Sequence, residues 1–129
     1  AFDDALALAL ERKAAFVSGT TGLSLTQLGA LEAASRTIPT LWAANFSLGV
    51  AVLADLVERA ARALPGWDLD IIESHHVHKK DAPSGTALAL GGAAKAGGAD
   101  PRYASIRAGD IVGEHWLQFA GAGERVELA

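Results

Sequence analysis

The residues best suited to chemistry lie in one short segment, residues 73–86, which contains three histidines, two lysines and two acidic residues. Imidazole gains or loses a proton near neutral pH, so His75, His76 or His78 could serve as a general acid or base. Three clustered histidines could instead bind a metal ion. His75 and His76 would face opposite sides of a strand, however, and the adjacent lysines oppose a cation. We therefore favour proton transfer, and a solvated polar loop without function is the simpler alternative.

The same segment predicts a site for an anion. Pro83 and Ser84 have the composition of a helix start, with Ser84 as the N-cap. The N–H groups of Gly85 and Thr86 would then lack partners within the helix, and the positive helix end would attract a negative charge. Lys79 lies close by in the chain and would add a full positive charge. Together these groups would suit a carboxylate.

Two further loops follow short apolar segments that are typical of buried strands. Gly19-Thr20-Thr21-Gly22 follows residues 14–18, and Ala43-Ala44-Asn45-Phe46 follows the segment that begins at Ile38. In doubly wound α/β sheets, ligands bind in the loops after the strands. Each loop could equally be a plain strand–helix connection, with Asn45 as a helix cap. No three-glycine dinucleotide fingerprint and no nucleophile elbow are present, so the residues alone predict an anion-binding acid/base site beside an α/β ligand crevice.

The elements expected to position these residues change character near Asn45. Before it, helix and strand patterns alternate, which is typical of a doubly wound sheet, and Ser24 with Gln27 predicts a capping box. After it, a third helix with an apolar stripe (Leu48, Val52, Leu56, Ala60), a strand over 68–76, a helix over 84–95 and a three-strand meander over 103–107, 111–119 and 125–128 are expected. The pattern predicts a doubly wound α/β part, residues 1–46, followed by an α+β mixed-sheet domain, residues 47–129.

The composition argues against several functional classes. The net charge of −4 and the absence of a long basic cluster disfavour a nucleic-acid surface. No apolar run approaches the roughly 20 residues of a membrane span. The absence of cysteine suits a reducing cytoplasm. The chain also contains no methionine, and we expect it to be a segment of a longer protein.

Four segments resemble, in order, motifs of the dihydrodipicolinate reductases, also called 4-hydroxy-tetrahydrodipicolinate reductases. The longest is residues 73–86, with a doubled histidine, His-Lys, and Asp-Ala-Pro-Ser-Gly-Thr. Residues 18–22 resemble the family's Gly-Thr-Thr-Gly loop, and residues 43–47 resemble its Asn-Phe-Ser segment. Residues 107–115 resemble its Arg-x-Gly-x-x-x-Gly-Glu-His strand pair. The family's first glycine-rich loop and its C-terminal segment have no counterpart in this chain, so the resemblance implies that residues 1–46 are an incomplete Rossmann-like nucleotide-binding part.

The resemblance implies a role for each motif residue. His75 would be the general acid/base and Lys79 a second proton donor. His76, Gly85 and Thr86 would bind the substrate. The nicotinamide end of NADPH or NADH would contact the residues of the first two loops (Gly19, Thr20, Thr21, Ala43, Ala44, Asn45, Phe46). The family reduces a cyclic dicarboxylate imine in the diaminopimelate route to lysine, with hydride going to ring C4 and a proton to the neighbouring carbon.

The resemblance also implies a cytoplasmic homotetramer built through the second domain. The number of apolar residues near the last three strands favours such pairing, since short helices would not cover all of them (Ile111, Val112, Leu117, Phe119, Val126, Leu128). A non-catalytic oligomerisation segment of such a reductase is the main alternative. A carboxylate-binding lyase of unrelated chemistry is a third, distinguished by whether nicotinamide is consumed.

Overall fold

The computed structural model describes residues 1–129 and contains two compact units, Ala1–Phe46 and Ser47–Ala129. The first is a small α/β unit and the second is a mixed sheet with helices. The predicted fold class, an incomplete Rossmann-like part followed by an α+β part, is therefore confirmed.

The first unit consists of two helix–strand repeats around a parallel strand pair. Its elements are α1 (Phe2–Glu11), β1 (Phe16–Ser18), α2 (Leu25–Ser35) and β2 (Thr40–Trp42). The predicted capping box begins α2: the Ser24 hydroxyl accepts from the Gln27 amide at 3.2 Å, and the Gln27 side chain accepts from the Ser24 amide at 3.0 Å. The core consists of apolar residues from both helices, β1 and the approach to β2 (Phe2, Leu6, Ala9, Phe16, Leu31, Ala34, Ile38).

The second unit is a four-stranded sheet with two helices on one face. Its elements are α3 (Leu48–Ala63), β3 (Asp68–His75), α4 (Gly85–Ala96), β4 (Pro101–Arg107), β5 (Glu114–Gly121) and β6 (Glu124–Leu128). The strand order is β4-β3-β5-β6, with β3 and β4 parallel and the other pairs antiparallel. The core lies between alternate residues of β3 and β5 and the facing sides of the helices (Val57, Ala61, Leu69, Ile71, Ala87, Leu90, Ala94, Leu117, Phe119).

The predicted three-strand meander is wrong for its first strand, whereas β5 and β6 pair antiparallel as predicted. β3, α4 and β4 form a βαβ unit, in which the helical crossover makes the two strands parallel neighbours. β4 therefore takes one edge of β3, and β5 pairs with the other edge. Residues 108–113 carry the chain around the end of β3, where the Ala108 amide donates to the His75 carbonyl at 3.0 Å and the Val77 amide donates to the Gly109 carbonyl at 3.1 Å.

The predicted apolar stripe of α3 is also wrong. Leu48 and Val52 are 79% and 51% exposed, whereas Val57 and Ala61 are buried. The helix offers two apolar stripes, and the one rich in small residues faces α4. That side permits a close approach, since a Cβ at Gly97 would lie 2.4 Å from the backbone oxygen of Glu58 and 2.7 Å from the Cβ of Ala61.

Candidate functional site

The polar end of β3 continues the buried face of the strand. Leu69 and Ile71 point into the core. Glu73 and His75 are the next alternate residues of the strand, and they lie on the same face because side chains alternate along a strand. Glu73 is fully buried and His75 is 8% exposed. The Nδ1 atom of His75 lies 2.5 Å from Oε2 of Glu73. An ionised carboxylate can only accept, so Nδ1 donates this hydrogen bond and Nε2 is left for other partners.

Arg107, at the end of β4, keeps Glu73 ionised. Its Nη1 and Nη2 atoms donate to the two oxygens of Glu73 at 2.9 and 2.7 Å, and Nη2 also donates to the carbonyl of Asp81 at 2.6 Å. Burial alone would raise the pKa of Glu73, but the hydrogen bonds from Arg107, Ser105 and His75 outweigh it and lower the pKa to about 2. Glu73 is therefore an anion at neutral pH.

His115 lies on β5, which pairs with the edge of β3 opposite to β4, and its ring contacts the ring of His75. The two rings meet edge to face with centroids 5.3 Å apart. Burial is the main cause that lowers the pKa of His115, and the nearby charges of His75 and Lys79 lower it further. The Nε2 atom of His115 lies 3.0 Å from the Ser84 hydroxyl, which already accepts from the Ala87 amide. The hydroxyl proton is therefore available to a neutral His115, and this bond ties β5 to the start of α4.

The loop after β3 brings the predicted cation and the helix start around one carboxylate. Nζ of Lys79 lies 2.8 Å from Oδ1 of Asp81. The hydrogen bond from Lys79 is the largest cause that lowers the pKa of Asp81, and the Gly85 amide lowers it as well. Ser84 is the N-cap of α4, as predicted, and Gly85 and Thr86 are partly exposed beside it. The ammonium group and the helix N-terminus thus meet at one place and hold the carboxylate of Asp81, an arrangement that suits carboxylates in general.

The other two histidines of the segment lie outside this buried cluster. His76 follows the last residue of β3 and is partly exposed, and His78 is exposed. Their rings are 6.2 Å apart. No group of three histidine, cysteine or acidic side chains in the structure is arranged to hold a metal ion.

Sequence reasoning did not single out Glu73, Arg107, His115 or Gly113 as site residues. A Cβ at Gly113 would lie 2.9 Å from Nε2 of His75, so the absence of a side chain there leaves room beside that nitrogen. The period-2 alternation of β3 could have placed Glu73 beside His75. The other three depend on the strand order, which the sequence pattern did not predict.

In the first unit, the two predicted cofactor loops lie together at the carboxyl ends of the two parallel strands. The Trp42 indole N–H donates to the Thr20 carbonyl at 2.9 Å, and the Ala43 amide donates to the Ser18 carbonyl at 3.2 Å. A Cβ at Gly19 would lie 3.6 Å from the ring of Phe46, whose side chain is 54% exposed. The structure therefore brings the two loops into contact within this unit. None of the four helices is long and apolar enough to cross a lipid bilayer.

Comparison with known proteins gives a consistent family for both units. Residues 1–46 match the family model described as dihydrodipicolinate reductase, N-terminus, and residues 49–129 match the one described as dihydrodipicolinate reductase, C-terminus. The 4-hydroxy-tetrahydrodipicolinate reductase of Stenotrophomonas maltophilia (strain K279a) is 71% identical over 127 residues, which are 98% of this chain and 53% of that protein. The protein of the same name from Xanthomonas campestris pv. campestris (strain B100) is 66% identical, with the same two coverages.

A solved structure gives the same result. The dipicolinate-bound dihydrodipicolinate reductase of Paenisporosarcina sp. TG-14 superposes with a TM-score of 0.63 and 25% sequence identity, covering 98% of this chain and 56% of that one. This chain therefore spans about half the length of the curated relatives and of the solved structure that it matches.

Proposed function

The chain belongs to the dihydrodipicolinate reductase family, and we propose that it supplies the acid/base and substrate-binding part of a reductase that converts 4-hydroxy-tetrahydrodipicolinate, or dihydrodipicolinate, to tetrahydrodipicolinate. This would be an NAD(P)H-dependent oxidoreductase of the diaminopimelate route to lysine, acting in the cytoplasm. The observation that carries the proposal is the buried His75, whose Nδ1 is bound to Glu73, on the same strand end as Lys79 and the N-terminus of α4.

The substrate of this reaction carries two carboxylates, and the loop after β3 suits one of them. Lys79 has three N–H donors, so its ion pair with Asp81 leaves donors for a second anion. Gly85 and Thr86 stand at the first turn of α4, where the helix dipole favours negative charge. His76, which is partly exposed in the loop between β3 and α4, would add a further contact. The dipicolinate in the related solved structure is a dicarboxylate of the same class.

The nicotinamide end of NADPH or NADH would be held by the loops of the first unit. The exposed ring of Phe46 beside the backbone of Gly19 gives a flat ligand ring a surface to stack on. When bound, the cofactor supplies the hydride for ring C4 of the substrate. The proposed contact residues are those of the two loops that follow β1 and β2 (Gly19, Thr20, Thr21, Ala43, Ala44, Asn45, Phe46).

The protein's own part in the chemistry is proton delivery. Addition of a hydride to the ring leaves negative charge on the neighbouring carbon, and this carbon takes a proton. His75 in its protonated form would donate that proton from Nε2 while Nδ1 remains bound to Glu73. Lys79, on the loop beside it, would be the second donor and would hold the carboxylate.

Steady-state kinetics of the full-length protein test this function. We expect His75→Gln to lower kcat by about 10²–10⁴-fold, the usual contribution of general acid catalysis, with a smaller change in KM. His78→Gln, at an exposed position of the same loop, is the matched control and should stay close to wild type. A folded His75→Gln protein with wild-type kcat would show that the acid/base assignment is wrong.

A non-catalytic oligomerisation role is the second candidate, and the outer face of the sheet favours subunit pairing. Leu117, Phe119 and Leu128 do not contribute to that face, contrary to the prediction, because they pack in the core on the helix side of the sheet. Three other apolar residues, Ile72, Trp116 and Ile106, lie on the face away from the helices, and Ile72 is paired with Trp116 across the strands. Trp116 is 40% exposed and Ile106 is 47% exposed. We propose a homotetramer that pairs through this face. Nicotinamide consumption distinguishes the two roles, because a purely structural segment would not contribute to it.

A further inference from the structure

Glu73 has an environment that strand pairing alone does not require. It is fully buried, and its two oxygens receive hydrogen bonds from Arg107 and His75. The same two strands carry a second carboxylate–arginine pair, Asp70 with Arg102, in which the side chains are 31% and 60% exposed. Removing a carboxylate from water is costly unless it is fully hydrogen-bonded. An exposed pair is sufficient to link β3 to β4, so the buried position of Glu73 needs another explanation.

The hydrogen bond at Nδ1 determines the form of His75. Because Glu73 can only accept, neutral His75 must carry its proton on Nδ1 and present a lone pair at Nε2. When His75 gains a second proton, this proton is on Nε2, and the negative charge of Glu73 stabilises the resulting imidazolium. Nε2 lies beside Gly113, where no side chain blocks it.

We propose that Glu73 is a positioning residue for His75: it fixes the ring orientation and tautomer, stabilises the protonated ring, and is itself held in place by Arg107. The proposal rests on the proposed function only in treating His75 as the proton donor. The charged groups on the neighbouring elements do not replace Glu73. Arg107 on β4 and Lys79 in the loop would repel a positive His75, and burial lowers the pKa of His115 on β5, which bonds to Ser84.

The test is nuclear magnetic resonance of the imidazole nitrogens in the full-length protein, which needs no activity. In the wild type, neutral His75 should carry its proton on Nδ1. In Glu73→Gln, the amide oxygen should remain with Arg107 and the amide NH₂ group should face Nδ1, so neutral His75 should lose its preference for a proton on Nδ1. Asp70→Asn is the matched control, because it removes the charge of the exposed β3 carboxylate that pairs with Arg102 and should leave the tautomer of His75 unchanged.

Two results would overturn the proposal: a proton on Nε2 in neutral wild-type His75, or an unchanged tautomer in folded Glu73→Gln. Because Glu73→Gln leaves Arg107 buried without its anion, Glu73→Asp is a second variant, which keeps the charge but withdraws the carboxylate from Nδ1 by about one bond length. It should shift neutral His75 toward a mixture of tautomers, and an unshifted tautomer would count against the proposal. If the spectra agree with the proposal but His75→Gln keeps wild-type kcat, then the proposed function fails and the positioning role stands.

Discussion

The two carboxylate–arginine pairs between β3 and β4 have the same chemistry and opposite surroundings. In both, an arginine of β4 makes two hydrogen bonds to a carboxylate of β3: 2.7 and 3.1 Å for Arg102 with Asp70, and 2.9 and 2.7 Å for Arg107 with Glu73. The first pair is open to water, and Arg102 also lies 3.6 Å from Asp68. In the second, the Glu73 side chain is 0% exposed and that of Arg107 is 19% exposed.

This difference separates a pair that links strands from a pair that serves a site. Exposed ion pairs typically contribute about 0–1 kcal/mol, because water and salt screen them. Buried pairs are favourable only where further hydrogen bonds satisfy the remaining lone pairs and protons. Glu73 and Arg107 have such bonds, to His75, Ser105 and the Asp81 carbonyl, and of the two side chains only Nε of Arg107 is buried without a partner. The second pair therefore couples the end of β3 to the loop that follows it.

The largest expected difference between the pairs is in stability. We expect Arg107→Ala to lower the free energy of unfolding by about 3–5 kcal/mol, because it leaves the Glu73 charge buried without its partner. Arg102→Ala, the matched control, should cost at most about 1 kcal/mol. Chemical denaturation at neutral pH measures both. Equal losses would show that burial does not distinguish the two pairs.

The pH dependence of stability should have the same origin. The pKa of Glu73 is lowered in the folded protein from 4.5 to about 2, so its contribution is fully present above pH 4.5 and is lost as the pH falls toward 2. A shift of this size corresponds to at most about 3 kcal/mol. The stability advantage of the wild type over Glu73→Gln should therefore shrink as the pH falls through this range. An advantage that is independent of pH would contradict the ionised state of Glu73.

A smaller effect is expected at two glycines of the loop between β4 and β5. Gly109 and Gly113 both have positive φ angles, +47° and +156°, so alanine should cost about 1 kcal/mol of stability at either position. Only at Gly113 would the new Cβ meet Nε2 of His75. We expect Gly113→Ala to lower kcat about tenfold or more through misplacement of that ring, and Gly109→Ala to leave kcat near wild type. Equal kcat values in the two variants would contradict the placement of Nε2.

The parts of the site that the sequence predicted are those formed by neighbours along the chain. Ser84 as N-cap, the start of α4 and the nearby Lys79 are all local features that composition reveals. The pairing of Glu73 with Arg107 joins residues 34 positions apart and depends on β4 lying beside β3. The predicted meander placed β5 beside β4 instead, whereas the structure inserts β3 between them. His115 was uninformative in the sequence because its neighbours come from β3 and from the cap of α4.

The central claim, that Glu73 acts through His75, is tested most directly by a double-mutant cycle of kcat in the full-length protein. In the His75 background, Glu73→Gln should lower kcat by about 10–100-fold, part of the general acid contribution. In the His75→Gln background, the same change should lower kcat by no more than about twofold, because residues that act as a unit are not additive. Effects that multiply in full would contradict the claim, since Glu73 would then act on the reaction independently of His75.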